Sequence, residues 1–112
     1  MTAEEICARV GGRVAVSVPD ASADSVYVGD LLSDVMGHAG DGCVLVTIQN
    51  HLNTIAVCTL VGCRVMVVCH DRPVPPDMAE GAAREGVAIV VTPLSQYAAA
   101  RALADLPPVE NA

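Results

Sequence analysis

The chain contains no lysine, no phenylalanine and no tryptophan, and only two tyrosines, Tyr27 and Tyr97. With no lysine, all positive side-chain charge rests on arginine, and 6 basic residues face 13 acidic ones for a net charge of -7. Such a balance argues against nonspecific binding to nucleic acid or to an anionic membrane surface. Scarce aromatics leave little surface for stacking bases or sugars, so the core must be built from Val, Ala, Leu and Ile. A membrane-length apolar run is also missing: the longest candidate, Thr54 to Cys69, is interrupted by Arg64 and turns strand-like in its second half. Glu4 and Glu5 stand where an export signal would carry positive charge. We therefore expect a cytoplasmic protein.

The five cysteines (Cys7, Cys43, Cys58, Cys63 and Cys69) are odd in number, and none forms a C-x-x-C pair. That spacing matches neither a zinc knuckle nor a dithiol redox site, and in a reducing compartment each reads as a small buried hydrophobe. With 112 residues there is room for one core and one domain, placed at 1–106, with 107–112 read as a flexible C-terminal tail after Pro107-Pro108.

What is present is a regular alternation of elements. Thr2 and Glu5 form a capping box ahead of a short helix that Gly11-Gly12 stops. Strands follow at Arg13–Val18 and Ser25–Val28, joined by a polar loop that allows a hairpin or pairing elsewhere. Asp30 is placed to cap a helix running to about His38. Cys43–Ile48, Arg64–Cys69 and Val87–Val91 read as strands, separated by helices over Asn50–Val61 and Asp77–Glu85, and a last helix starts at Ser95. The strands are apolar almost throughout, as in a sheet covered by helices on both faces. The expected class is α/β, with a mostly parallel five-stranded sheet. Leu52, Ile55, Ala56, Val57, Leu60 and Val61 leave little of one helix polar, so something must cover it all round, and a second copy of the chain is the natural candidate.

If the strands after the second are parallel, Gly29-Asp30, Gln49-Asn50-His51, Cys69-His70-Asp71-Arg72 and Thr92-Pro93 leave the sheet at one edge, where α/β folds place ligands. Candidate ligand-binding residues are therefore Asp30, Gln49, Asn50, His51, Asn53, His70, Arg72 and Thr92. Arg72 suits a phosphate or carboxylate, and the free amides of a helix start suit the same chemistry. The plainer alternatives stay open. Asn50 or Asn53 caps the helix, His51 fills a loop hydrogen bond, and Asp30 serves as a cap. His51, His70, Cys69 and Asp71 are ligand types suited to zinc or iron, but their spacing matches no compact motif. Cys43 and Cys63 belong at the opposite edge. No catalytic pairing, metal set or cofactor fingerprint is evident, and no cofactor is assigned.

Three stretches carry a resemblance: Val28-Gly29-Asp30-Leu31-Leu32-Ser33-Asp34-Val35-Met36; Thr47-Ile48-Gln49-Asn50-His51-Leu52-Asn53-Thr54-Ile55-Ala56-Val57; and Ala88-Ile89-Val90-Val91-Thr92-Pro93. Together they resemble the DRTGG domain family, and most of all its small stand-alone members found alongside iron-only hydrogenase genes. The resemblance covers about Ile6 to Leu103. It implies an α/β domain, frequently dimeric, of regulatory character and without an established activity. Where larger relatives carry Gly-Asp-Arg this chain has Gln49-Asn50-His51, and where they carry Thr-Gly-Gly it has His70-Asp71-Arg72. Related proteins are sometimes labelled kinases, yet this chain lacks lysine and any G-x-x-x-x-G-K-[ST] phosphate loop. The expectation is a non-catalytic regulatory or accessory module that binds a small anionic ligand, perhaps a nucleotide. The alternatives are an accessory factor of a redox enzyme of the hydrogenase type and a metal-binding module.

Overall fold

The computed structural model describes residues 1–109. Among them run α1 (Ala3–Val10), β1 (Arg13–Val16), β2 (Ser25–Val28), α2 (Leu32–His38), β3 (Cys43–Thr47), α3 (Leu52–Val61), β4 (Val65–Val68), α4 (Pro76–Glu85), β5 (Ala88–Val91) and α5 (Gln96–Ala102). The five strands form one sheet in the order β1-β5-β4-β3-β2. The pairs β2-β3, β3-β4 and β4-β5 are parallel, and β1 joins β5 antiparallel. The sheet is therefore mixed, and β1 and β2 are not a hairpin: they lie at opposite edges.

This order follows from the connections. From β2 to β5 every link is a strand-helix-strand crossover that steps one position in the same direction, and crossovers of one hand put their helices on one face. Accordingly α2, α3 and α4 cover a core layer that includes Leu45, Met66, Val68, Ile89 and Val91. The other face, with Val44, Val46, Val65, Val67 and Val90, is covered by Ile6 and Val10 of α1 and Ala99 and Leu103 of α5. Both faces of β3, β4 and β5 are buried, which is why these strands read as unbroken apolar runs. Burying each such Val, Leu or Ile contributes about 1.5–3 kcal/mol.

Local signals fixed several ends. The Thr2 hydroxyl accepts from the Glu5 amide and the Glu5 carboxylate from the Thr2 amide, completing the capping box. Gly11, Gly62 and Gly86 stop α1, α3 and α4 in the left-handed conformation that glycine adopts without steric cost. Elsewhere the expected ends shift. Leu31, not Asp30, occupies the N-cap of α2. His51 occupies that of α3, with no side-chain cap, so neither Asn50 nor Asn53 plays that part.

Residues 107–109, placed above in the tail, lie along the outer side of β2. The Val26 amide donates to the Pro107 carbonyl at 2.9 Å and the Val109 amide to the Val26 carbonyl at 3.1 Å. The rest of the expected tail, 110–112, falls outside the described residues.

Candidate functional site

The parallel strands β2, β3, β4 and β5 do bring their carboxyl ends to one edge, and the chain segments that follow them meet there. Asp30, just beyond β2, is the centre of the arrangement. Its Oδ1 accepts from Thr47 Oγ1 at 3.0 Å and from the Ile48 amide at 2.9 Å, and both its oxygens lie 2.8 Å from Gln96 Nε2. Its backbone carbonyl takes Gln49 Nε2 at 2.7 Å. One aspartate thus ties the ends of β2 and β3 to the start of α5. Burial by itself would raise the Asp30 carboxyl, but the Ile48 amide, Gln96, Thr47 and the nearby Arg72 outweigh it and hold it below its ordinary value of 3.8.

A second set links β3 to the loop after β4. Asn50 is buried, donates from Nδ2 to the Pro73 carbonyl at 2.7 Å and accepts at Oδ1 from Arg72 Nη2 at 3.4 Å. It is a bridge between two turns. Arg72 keeps most of its donors free and is exposed, as are His51, Asn53 and His70. His51 leaves the start of α3 open: among the described residues nothing accepts from the amides of Leu52 and Asn53. Beneath that turn Thr54, fully buried, has an Oγ1 with no partner.

The loop after β4 has unusual backbone. His70 and Asp71 adopt φ of 59° and 52°, the left-handed region, although neither is glycine. Their amides are spent on Leu94 and Thr92 carbonyls at 3.0 and 2.9 Å. The loop from β4 is thereby clamped to the loop from β5 with both side chains directed by a costly backbone.

Not every expected residue is available. Thr92 is fully buried, donating from Oγ1 to the Val10 carbonyl at 2.7 Å and accepting from the Leu94 amide at 3.2 Å. It anchors α1 to the β5 loop and faces no open space. Asp30 is likewise engaged in holding the edge together. Gln49, His51, Asn53, His70 and Arg72 remain as half-buried or exposed groups at one edge. Sequence reasoning missed Thr47 and Gln96. The signal for Gln96 was present: Ser95 caps α5, with its hydroxyl accepting from the Ala98 amide, which sets residue 96 at the same edge.

The side chains offered for a metal do not assemble, for among the described residues no three His, Cys, Asp or Glu side chains converge. Cys69 is buried, and burial first and Asp30 second push its thiol up to about 11. At neutral pH it is a thiol and not a nucleophilic thiolate. All five cysteines are free. Cys43 and Cys63 sit at the opposite edge, at the start of β3 and just before β4, with Cys63 Sγ 3.0 Å from the Val65 carbonyl. No helix among the described residues is long and apolar enough to cross a membrane.

No protein-family model matches the chain, and no curated protein matches it. Among solved structures it is similar to the CBS and DRTGG domains of the regulatory region of a Clostridium perfringens pyrophosphatase, complexed with its activator diadenosine tetraphosphate. The TM-score is 0.71 at 12% sequence identity, over 96% of this chain and 48% of that one. The present chain thus spans about half the length of that structure, and the likeness is one of fold.

Proposed function

We propose that the protein is a non-catalytic regulatory module that binds a small anionic ligand, of the nucleotide class, at the carboxyl edge of its sheet. One observation carries the reading. The first turn of α3 presents unpartnered Leu52 and Asn53 amides, flanked by His51 and Asn53 side chains, with Arg72 fixed beside it through Asn50. A helix start and a guanidinium together complement a phosphate or carboxylate. Gln49 and His70 complete the rim, and Asp30 and Asn50 hold the segments in register. The left-handed His70 and Asp71 support the same reading, because backbone strain of this kind gathers where side chains are put to use. The likeness to a regulatory region bound to a dinucleotide supports a nucleotide as the ligand class. The module works as a homodimer in the cytoplasm.

The test is thermal unfolding of the untagged protein against a panel of nucleotides and phosphorylated metabolites. A ligand that binds only the folded state at a hundred times its Kd adds about 2.7 kcal/mol, and the shift should vanish in His51→Ala and Arg72→Ala while both variants keep their unliganded melting temperature. A ligand whose shift survives both replacements binds elsewhere, and the site assignment fails. No shift across the panel removes the ligand reading altogether.

A further inference from the structure

A solvent-facing helix usually shows its charges to water. Two helices of this chain do so: α1 exposes Glu4, Glu5 and Arg9, and α4 exposes Asp77, Glu80, Arg84 and Glu85. α3 has no charged residue from Leu52 to Val61. It lies between α2 and α4 and directs Thr54, Ile55, Val57 and Cys58 into the core, yet its outer side is also apolar. Leu52, Ala56 and Leu60 follow one another four residues apart along that side, with Leu52 41% and Leu60 71% exposed. Beside them a groove of about 450 Å³ opens between α3 and α4, with Ala56, Gly81, Arg84 and Glu85 among its lining residues. Gly81 is what brings the two helices close, since a Cβ there would stand 2.7 Å from Leu52 Cδ1.

From these observations we infer that the outer side of α3 and the α3–α4 groove form a two-fold interface with a second copy of this chain. The inference rests on the dimer proposed above and not on the ligand. Charge decides in favour of a second copy. The groove bears one arginine and one glutamate side by side, Arg84 and Glu85, whose mutual contact is only 3.9 Å at its closest and leaves their side chains 67% and 45% exposed. A surface holding both signs next to an uncharged ridge is complementary to itself, which is what an isologous contact requires. A partner of uniform charge would leave one of the two unpaired. In the antiparallel crossing of α3 on its copy, Ala56 lies on the axis, where its small side chain lets the helices approach. Leu52 packs on Leu60 of the second copy, and Arg84 reaches Glu85 of the second copy. Leu52 adjoins His51, so the dimer contact begins one residue from the candidate ligand site.

Sedimentation equilibrium of the full chain without added ligand tests this. The protein should sediment as a dimer at micromolar concentration, and Ala56→Arg or Leu60→Glu should raise the dissociation constant at least a hundredfold with an unchanged far-ultraviolet spectrum. Arg84→Glu alone should weaken the dimer about tenfold, and adding Glu85→Arg should restore it. A wild-type monomer at 100 times that concentration overturns both the dimer and its interface. A dimer indifferent to Ala56→Arg and Leu60→Glu overturns the interface alone. Growth into open-ended oligomers overturns the two-fold arrangement. Should either α3 variant fail to fold, the Arg84 and Glu85 exchange, on an exposed surface, still decides: a double variant as weak as Arg84→Glu excludes the self-complementary contact.

Discussion

At the scale of single residues, Asp30 shows how a short-range reading of sequence misleads. An aspartate one turn ahead of an apolar stripe has the pattern of a helix cap. Its partners, Thr47, Ile48 and Gln96, are far away in sequence, and no local pattern announces them. Asp30→Asn puts an amide where two N–H donors already point, and should cost about 1–3 kcal/mol in urea unfolding. Because the folded carboxyl is held below 3.8, its contribution is complete above that pH and is lost as the pH falls through the depressed value. In Asp30→Asn that part of the acid sensitivity should disappear, and an unchanged acid limb in the variant would refute the assignment. Thr54 gives a change of opposite sign. Its buried hydroxyl has no acceptor, so Thr54→Val, of equal shape, should raise stability by about 1 kcal/mol. Asp71 is held at φ 52°, and Asp71→Gly should add up to about 1 kcal/mol by relieving the left-handed cost, whereas Asp71→Val should lower the melting temperature.

At the scale of elements, most of the chain's punctuation is readable in advance. The capping box at Thr2, the glycine stops at 11, 62 and 86, and the order of helices and strands all rest on neighbours within a turn or two, and the structure shows each of them. Pairing is different. Nothing within β1 or β2 indicates that one will join β5 and the other β3, because both are short apolar runs and the choice lies in the whole set of crossovers. Of the candidate site, the shared edge was readable once parallel strands were assumed, and five of its eight residues keep free groups there. Thr92 was not separable from them, since its burial depends on the approach of α1 through the Val10 carbonyl. The C-terminal strap was hidden by its prolines. Pro107 keeps its carbonyl, and that group accepts from Val26. Deleting 107–112 should cost about 1–2 kcal/mol for two lost edge hydrogen bonds and should abolish protection of the Val26 amide in hydrogen exchange. A protected Val26 amide in the truncated chain would show that the strap is dispensable.

At the scale of the whole molecule, the ligand edge and the proposed dimer face share one helix. The start of α3 belongs to the first and its outer side to the second, so an anion at His51 and a second copy at Leu52 act on neighbouring residues of one rigid element. The sheet also has a temporal order built into it. β1 is among the first segments to leave a ribosome, but its only ladder is with β5, Arg13 opposite Val91. Until nearly the entire chain has emerged, the Arg13–Val16 strand has nothing to pair with, and a product cut short before β5 would carry an unmatched strand edge of the kind that seeds aggregation. The last strand to be made is the one that locks in the first, so synthesis must run almost to its end before the sheet can close.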